Sequence, residues 1–521
     1  MRRKILAASV FLCALTCHAF APHIVRAQCT TEQTITLSPE KSKQVDELIT
    51  SFLENDKSGA AVSVIQNGER QHQKGYGLAN INQHYPICSD TLFDLASASK
   101  QFTAMAILML KDKGLLNLNS SIRDVLPESK FPAWAQAITV RNLLDHTSGL
   151  PNYDDILYPD GKSEQEALNK VFNRVSATID KNWPRSSKPE GEAVIEPTSE
   201  DVVRLLALQA KPRFAAGTKW EYSNTGYMLL AQIVEHFTGK RFADFMKENI
   251  FQPLGMSSTF VMDERQKYKP AKRATSYDRG WKEYHDIDYT PLNYIYGDGN
   301  VNTNLEDMFK WEQALEVMLR PDIHPGERPL VSPETITEAF KLNTKYPYQF
   351  DRETDIARTR YGYGWYSARA RGAQLIWHSG AWVGFRTMIM FFPEQRFSVI
   401  LLSNNMQFPL LGMAFKIARI YLEPVLTPLR RVSVSIADIR PLLKRHFPDG
   451  GGFYDVTLES DGRLALKTSS REKYYLVPES SREFFIEGFE DYDVFRYSFK
   501  NIDKVELLPE TKFLKQQQRI Q

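Results

Sequence analysis

The chain has 521 residues, 42% of them hydrophobic and 25% charged, and a formal net charge of +2. This is ordinary globular composition with room for two or three domains. Four basic residues, Arg2, Arg3, Lys4 and Arg26, fall in an N-terminal stretch without an acidic residue, and taking those four from +2 leaves −2, which excludes an electrostatic footprint for nucleic acid or an anionic membrane.

Residues 1–27 read as a secretory signal peptide. Arg2-Arg3-Lys4 forms the charged region, Ile5–Leu15 the apolar run, and Val25-Arg26-Ala27 the cleavage site. Ala19-Phe20-Ala21 is a poorer site because Pro22 follows it. The apolar run falls short of the roughly 20 residues a membrane span needs, and neither Cys17 nor Cys29 sits in a lipoprotein box. The expectation is an exported chain, periplasmic or extracellular, with no membrane span after signal removal. Cys13 and Cys17 leave with the signal; Cys29 and Cys88 remain, which suggests one disulfide, with two free thiols as the other reading. The chain has no Cys/His cluster at zinc spacing and no EF-hand or P-loop pattern, so neither a metal nor a cofactor is expected.

Along the mature chain, Ser38-Pro39 marks a helix start, and Val45, Leu48, Ile49, Phe52 and Leu53 repeat at helical spacing. Asn67-Gly68 between two strand-like runs signals a hairpin. A long apolar helix follows through Phe102, Met105 and Met109, with Gly114 as its stop. Residues 159–200, with Pro184, Pro189 and Pro197, read as an exposed insertion, and Met228–Phe237 as another helix. TMIMFFPEQRFSVILLSNN gives two apolar strands around Pro393-Glu394-Gln395, and a β-rich module with a turn at Asp461-Gly462 follows. Strands at both ends of the main domain with helices between them predict an α+β fold: one antiparallel sheet flanked by helices, a helical subdomain, and a small C-terminal β-rich module. The predicted division is signal peptide 1–27, catalytic domain 28–430 and module 431–521.

Three short motifs carry chemistry. In Ser97-Ala98-Ser99-Lys100, a hydroxyl precedes an amine by one helical turn, so the two share a face. A serine needs a base to become nucleophilic, and a lysine buried in an apolar helix is one whose pKa falls. The same spacing occurs at Ser38–Lys41 and Ser470–Lys473, but only Ser97 opens a long apolar helix; alone, it would read as an N-cap before a solvated lysine. In Tyr222-Ser223-Asn224 the phenol is a candidate proton relay next to a cation, and Asn224 a contact for substrate and lysine; alone, the tripeptide reads as a packed tyrosine before an N-cap asparagine. His378-Ser379-Gly380 follows Leu375-Ile376-Trp377 and looks like an edge strand lining a cleft. The N–H of Ala381, with that of Ser97, would make an oxyanion hole, and His378 would hold a substrate carboxylate, bond near Tyr222, or simply close the strand.

Taken in this order, the three motifs resemble those of the penicillin-recognising serine hydrolases, and within them the class C β-lactamase-like group, which includes D-alanyl-D-alanine carboxypeptidases, esterases and D-aminopeptidases. LLDHTSGLPNY at Leu143–Tyr153, FAAGTKWEYSNTGY at Phe214–Tyr227 and GDGNVNTNLEDMFKW at Gly297–Trp311 extend the resemblance over about residues 40–410. It implies Ser97 as acyl-enzyme nucleophile, Lys100 as base, Tyr222 as general acid/base, and Asn224, His378, Gly380 and Ala381 as substrate contacts, with His146 structural. The third motif departs from the lysine-threonine-glycine of class C β-lactamases. A histidine there is mostly uncharged at neutral pH, which favours an esterase or peptidase over efficient antibiotic hydrolysis. The implied substrate is an ester, a D-amino-acid peptide or a β-lactam; the alternative is a non-catalytic or slow-turnover protein that binds penicillin or cell-wall peptide. No G-x-S-x-G elbow supports an α/β-hydrolase.

Overall fold

The computed structural model describes residues 38–158, 196–341 and 360–506, less short interior gaps, together with Cys29. The proposed signal peptide and nearly all of the expected insertion, 159–195, lie outside the described residues; the helix Ser199–Ala207 already begins within the stretch assigned to that insertion.

A seven-stranded antiparallel sheet forms the centre. Helix α1 (Pro39–Leu53) leads into β1 (Ala60–Gln66) and β2 (Glu69–Tyr76), joined at Asn67 and Gly68, both with positive φ as a tight hairpin turn demands. The remaining strands come from late in the chain: β3 (Arg360–Tyr361), β4 (Tyr366–Ala370), β5 (Ala373–Trp382), β6 (Phe385–Phe392) and β7 (Phe397–Ser403), in the order β3-β4-β5-β6-β7-β1-β2. Early and late strands meet where Ala60 pairs with Ser403 and Gln66 with Phe397. β6 and β7 are buried along almost their whole length, which explains their unbroken apolar sequence. Phe397 packs its ring on Tyr421, in the helix Leu410–Leu422, while its neighbour Ser398 bonds Glu312, in the helix Leu305–Leu319. Adjacent strand residues point to opposite faces, so helices cover both sides of the sheet.

Between β2 and β3 lies the helical region. Helix α2 (Lys100–Asp112) has every residue from Lys100 to Leu110 buried, and Gly114 follows it with φ +69. Helix α3 (Asn224–Thr238) packs beside it. A second sheet of seven antiparallel strands runs in sequence order from Arg445–His446 to Lys504–Glu506, and Gly462, with φ +82, turns Tyr454–Leu458 into Leu464–Thr468. The architecture is the expected α+β.

Cys29 and Cys88 form a disulfide, closing a separation of 59 residues. A loop of that length is worth about 4 kcal/mol of unfolded-state entropy. Cys88→Ser is therefore expected to lower the melting temperature under oxidising conditions and to leave that of the reduced protein nearly unchanged, which differential scanning calorimetry with and without reductant would resolve.

Candidate active site

Ser97 sits in a 3-10 turn, Ala96–Ser99, that runs into α2; it is not the helix N-cap. The turn is held from two sides. Ala96 adopts φ +48, and its N–H donates to Asp94 Oδ1 at 2.8 Å. Asp94 lies 3.8 Å from the guanidinium of buried Arg273, which also bonds Asp288 at 2.7 Å. From the sheet side, Thr387 Oγ1 donates to Leu95 O at 2.8 Å. A residue in the left-handed region persists only where its surroundings over-determine it, and this ion cluster and strand do so.

Lys100 is fully buried, with Nζ 3.2 Å from Ser97 Oγ. Nζ also donates to Asn224 Oδ1 at 2.8 Å and to the Asp298 carbonyl at 2.9 Å. The loop carrying Asp298 is fixed to α2 by Thr103 Oγ1 on Gly297 O (2.6 Å) and to the nucleophile turn by Val301 N–H on Ser99 Oγ (3.1 Å). Ser223, not Asn224, caps α3, its Oγ accepting from Gly226 N–H at 3.2 Å. That leaves the Asn224 carboxamide for Lys100, with its Nδ2 reaching Asp154 Oδ2 at 3.4 Å.

The Tyr222 ring centroid is 4.8 Å from Lys100 Nζ. The residue is held by His146, whose ring lies 4.3 Å away and whose Nδ1 accepts from Ser223 N–H at 3.1 Å. Glu221 N–H donates to the carbonyl of the same histidine at 3.0 Å. His146 thus packs against the tyrosine and holds the main chain on either side of it. Burial, reinforced by Lys100 and His378, pushes its pKa well below the ordinary histidine range.

His378 is 1% exposed and does not reach the cavity beside Ser97. Nδ1 meets the Ser379 carbonyl at 2.6 Å, and since a carbonyl only accepts, Nδ1 carries the proton. Nε2 then accepts from the Tyr361 hydroxyl at 2.9 Å. Burial, with Lys100 adding to it, pushes His378 down to about 3 from 6.5. The folded state therefore binds fewer protons than the unfolded chain between those values, so this group's contribution to stability is complete above about pH 6.5 and falls as pH drops toward 3. His72, lowered to about 4 by burial, acts in the same direction. His378→Asn is expected to flatten, not abolish, the loss of stability between pH 7 and 4 in urea denaturation.

The edge-strand reading of the third motif holds for half of β5. Ala373–Trp377 pairs with β4, and only Ile376 and Trp377 of that stretch also pair with β6; pairing with β4 ends at Tyr366–Trp377, and His378–Trp382 pairs with β6 alone. This free half passes over the nucleophile turn. Gly380 makes the approach possible: a Cβ there would lie 2.0 Å from Leu95 O and 2.3 Å from Thr387 Oγ1. Gly380 is thus a contact of the nucleophile turn, and Ala381 and Trp382 are the β5 residues that line the cavity with Ser97.

The cavity has a volume of about 120 Å³, and Asn224, Tyr153, Asp154, Asp298 and Trp382 are among its other walls. The two aspartates were not singled out from the sequence, although both follow motif strings: Asp154 comes directly after LLDHTSGLPNY, and Asp298 lies within GDGNVNTNLEDMFKW. Burial and Asp298 raise Asp154 to about 6, and burial raises Asp298.

The family model described as beta-lactamase matches residues 45–420, which span the whole of this geometry. The chain belongs to the beta-lactamase family. As a member it is a serine hydrolase. It is 27% identical over 473 residues, 86% of this chain and 92% of the relative, to penicillin-binding protein 4* of Bacillus subtilis (strain 168). Among solved structures, the octameric penicillin-binding protein homologue from Pyrococcus abyssi is similar with a TM-score of 0.57 and 22% identity, covering 89% of this chain and 94% of that one. The D-amino acid amidase from Ochrobactrum anthropi SV3 is similar with a TM-score of 0.56 and 21% identity, covering 74% and 98%. These two likenesses establish the β-lactamase/transpeptidase-like fold. No helix among the described residues is long and apolar enough to cross a membrane.

Proposed function

We propose that this beta-lactamase family member is an exported hydrolase that forms a covalent acyl-enzyme on Ser97 with an ester, a D-amino-acid peptide or a β-lactam. The observation that carries the reading is the position of Lys100 Nζ, 3.2 Å from Ser97 Oγ and tied to Asn224 and the Asp298 carbonyl. A neutral amine has two hydrogens and one lone pair. At 3.2 Å that lone pair is placed to receive the Ser97 proton. The serine oxygen attacks the substrate carbonyl, and the N–H groups of Ser97 and Ala381 hold the oxyanion. Tyr222, beside the lysine, returns a proton to the leaving group, and the same pair activates water for deacylation. His378 is a positioning residue in this scheme, holding Tyr361 and the end of β5.

Export is supported by the signal-like N-terminus and is compatible with the Cys29–Cys88 disulfide. The proposed division remains signal peptide 1–27, catalytic domain 28–430 and C-terminal module 431–521. A fluorophosphonate probe is expected to label the folded chain and to fail on Ser97→Ala, while p-nitrophenyl esters, D-alanyl peptides and a chromogenic cephalosporin rank the substrates. A folded wild type that resists the probe would refute the acyl-enzyme. Labelling without turnover of any substrate would instead mark a penicillin- or peptide-binding protein.

A further inference from the structure

The cavity beside Ser97 has a one-sided charge pattern. Asp298 is 7% exposed, and one of its carboxylate oxygens, Oδ2, accepts from the Tyr153 hydroxyl at 2.7 Å. The other, Oδ1, is buried and has no hydrogen-bond partner among the described residues. A buried carboxylate oxygen left unbonded is costly, and this one belongs to a residue that lines a cavity open to substrate. Asp154 lines the same cavity, with Oδ2 bonded to Asn152 Nδ2 at 2.9 Å and more weakly to Asn224 Nδ2.

The charge of Lys100 favours the ionised form of both carboxylates, which keeps them acceptors for an incoming ammonium. Lys100 is directed at Ser97, Asn224 and the Asp298 main chain. Arg386, opposite Ala381 on β6, spends Nη1 on the Val383 and Phe385 carbonyls and is not a wall of the cavity. Asn300, another wall, donates its amide to Met262 O and Asn293 O. The indole Nε1 of Trp382, buried and likewise without a partner, is a neutral donor suited to a carbonyl. The third motif, where a lysine would face a substrate carboxylate, presents a buried neutral histidine.

We propose that Asp154 and Asp298 form a subsite for a protonated amine on the acyl side of the substrate, so that this enzyme selects cationic acyl donors over carboxylate-bearing ones. The inference deepens the assignment of Ser97 as nucleophile and rests on it. The ammonium would donate to Asp298 Oδ1 and to Asp154, charge-assisted bonds that are the strong class in a site shielded from water. A volume of about 120 Å³ admits a group of alanine size.

Calorimetry on the Ser97→Ala chain separates recognition from chemistry. The probes are the enantiomers of alaninamide, the hydroxyl analogue lactamide, and methylmalonate monoamide, in which a carboxylate replaces the amine. At least one alaninamide enantiomer is expected to bind at least about tenfold more tightly than lactamide, and the carboxylate analogue most weakly. Asp298→Asn or Asp154→Asn in the same background is expected to bring alaninamide and lactamide within about threefold of each other. Asp298→Asn keeps the main-chain carbonyl that holds Lys100, and circular dichroism reports whether each variant folds. Equal binding of amine and hydroxyl, a preference for the carboxylate, a preference that survives both substitutions, or no binding of any probe would overturn the subsite. In the full wild-type chain, the ratio of kcat/KM for alanine p-nitroanilide over its N-acetyl derivative is expected to exceed ten and to collapse in Asp298→Asn. Fluorophosphonate labelling keeps the two claims apart: a labelled enzyme indifferent to the amine sinks the subsite alone, and an unlabelled folded enzyme sinks the nucleophile.

Discussion

Lys100→Ala is expected to lower kcat/KM by about three to four orders of magnitude and to slow fluorophosphonate labelling of Ser97 to a similar degree. The substitution removes three contacts at once: the 3.2 Å approach to Ser97 Oγ and the bonds to Asn224 Oδ1 and Asp298 O. A positioned base contributes about 10²–10⁴ by itself, and the freed Asn224 and Asp298 groups no longer define the nucleophile's surroundings. Lys100→Arg discriminates a base from a mere charge. It keeps the cation, but a guanidinium does not shed its proton at working pH. Arginine should therefore be as inactive as alanine. Recovery of more than a tenth of wild-type activity by arginine would show that the cation, not proton transfer, is what matters. Titrating wild-type kcat/KM from pH 5 to 10 adds an independent reading, since His378 is already neutral throughout that range. Any limb near pH 6–7 must come from another group, with Asp154, raised to about 6, the candidate within the cavity.

Much of this site was legible in the sequence because covalent spacing brings its first pair together. Ser97 and Lys100 are three residues apart on one helical turn, and their contact needs no long-range folding. The paired strands 385–392 and 397–403 were equally local, as were the Asn67-Gly68 and Asp461-Gly462 turns. What escaped was set by partners distant in sequence. Nothing local to His378 says that Tyr361 will cover it and Ser379 take its proton; the residue spacing fits an exposed ligand as well as a buried post. Nothing local to Asp298 says that its main chain will hold Lys100, 198 residues away, while its side chain turns into the cavity. The N-cap of α3 escaped for a smaller reason. Both Ser223 and Asn224 are good caps, and only the tertiary demand for the asparagine amide at Lys100 decides between them.

Gly380→Ala is expected to cost about 10²–10³ in kcat with little change in KM, because it acts on the oxyanion donors without touching the cavity floor. The Cβ would meet main-chain oxygen at Leu95, 2.0 Å away, and the Thr387 hydroxyl at 2.3 Å. Neither is the flexible end of a long side chain. Thr387 itself holds Leu95 O at 2.8 Å, so relief must come from β5 and the nucleophile turn moving apart. That displacement separates the Ala381 N–H from the Ser97 N–H, and a pair of donors must both sit about 2.7–3.1 Å from the developing oxyanion to stabilise it. The melting temperature should fall as well, since the turn loses a packed neighbour. Gly412→Ala supplies the contrast. It lies in the helix Leu410–Leu422 with nothing within 4 Å of an added Cβ, and is expected to gain about 0.5–1 kcal/mol from helix propensity while leaving kinetics unchanged. If Gly380→Ala retains wild-type kcat, β5 and the nucleophile turn are not in the contact that brings Ala381 beside Ser97, and the oxyanion assignment falls with it. If kcat falls and the probe still labels Ser97 slowly but completely, the nucleophile and its lysine are intact, and the loss belongs to the strand.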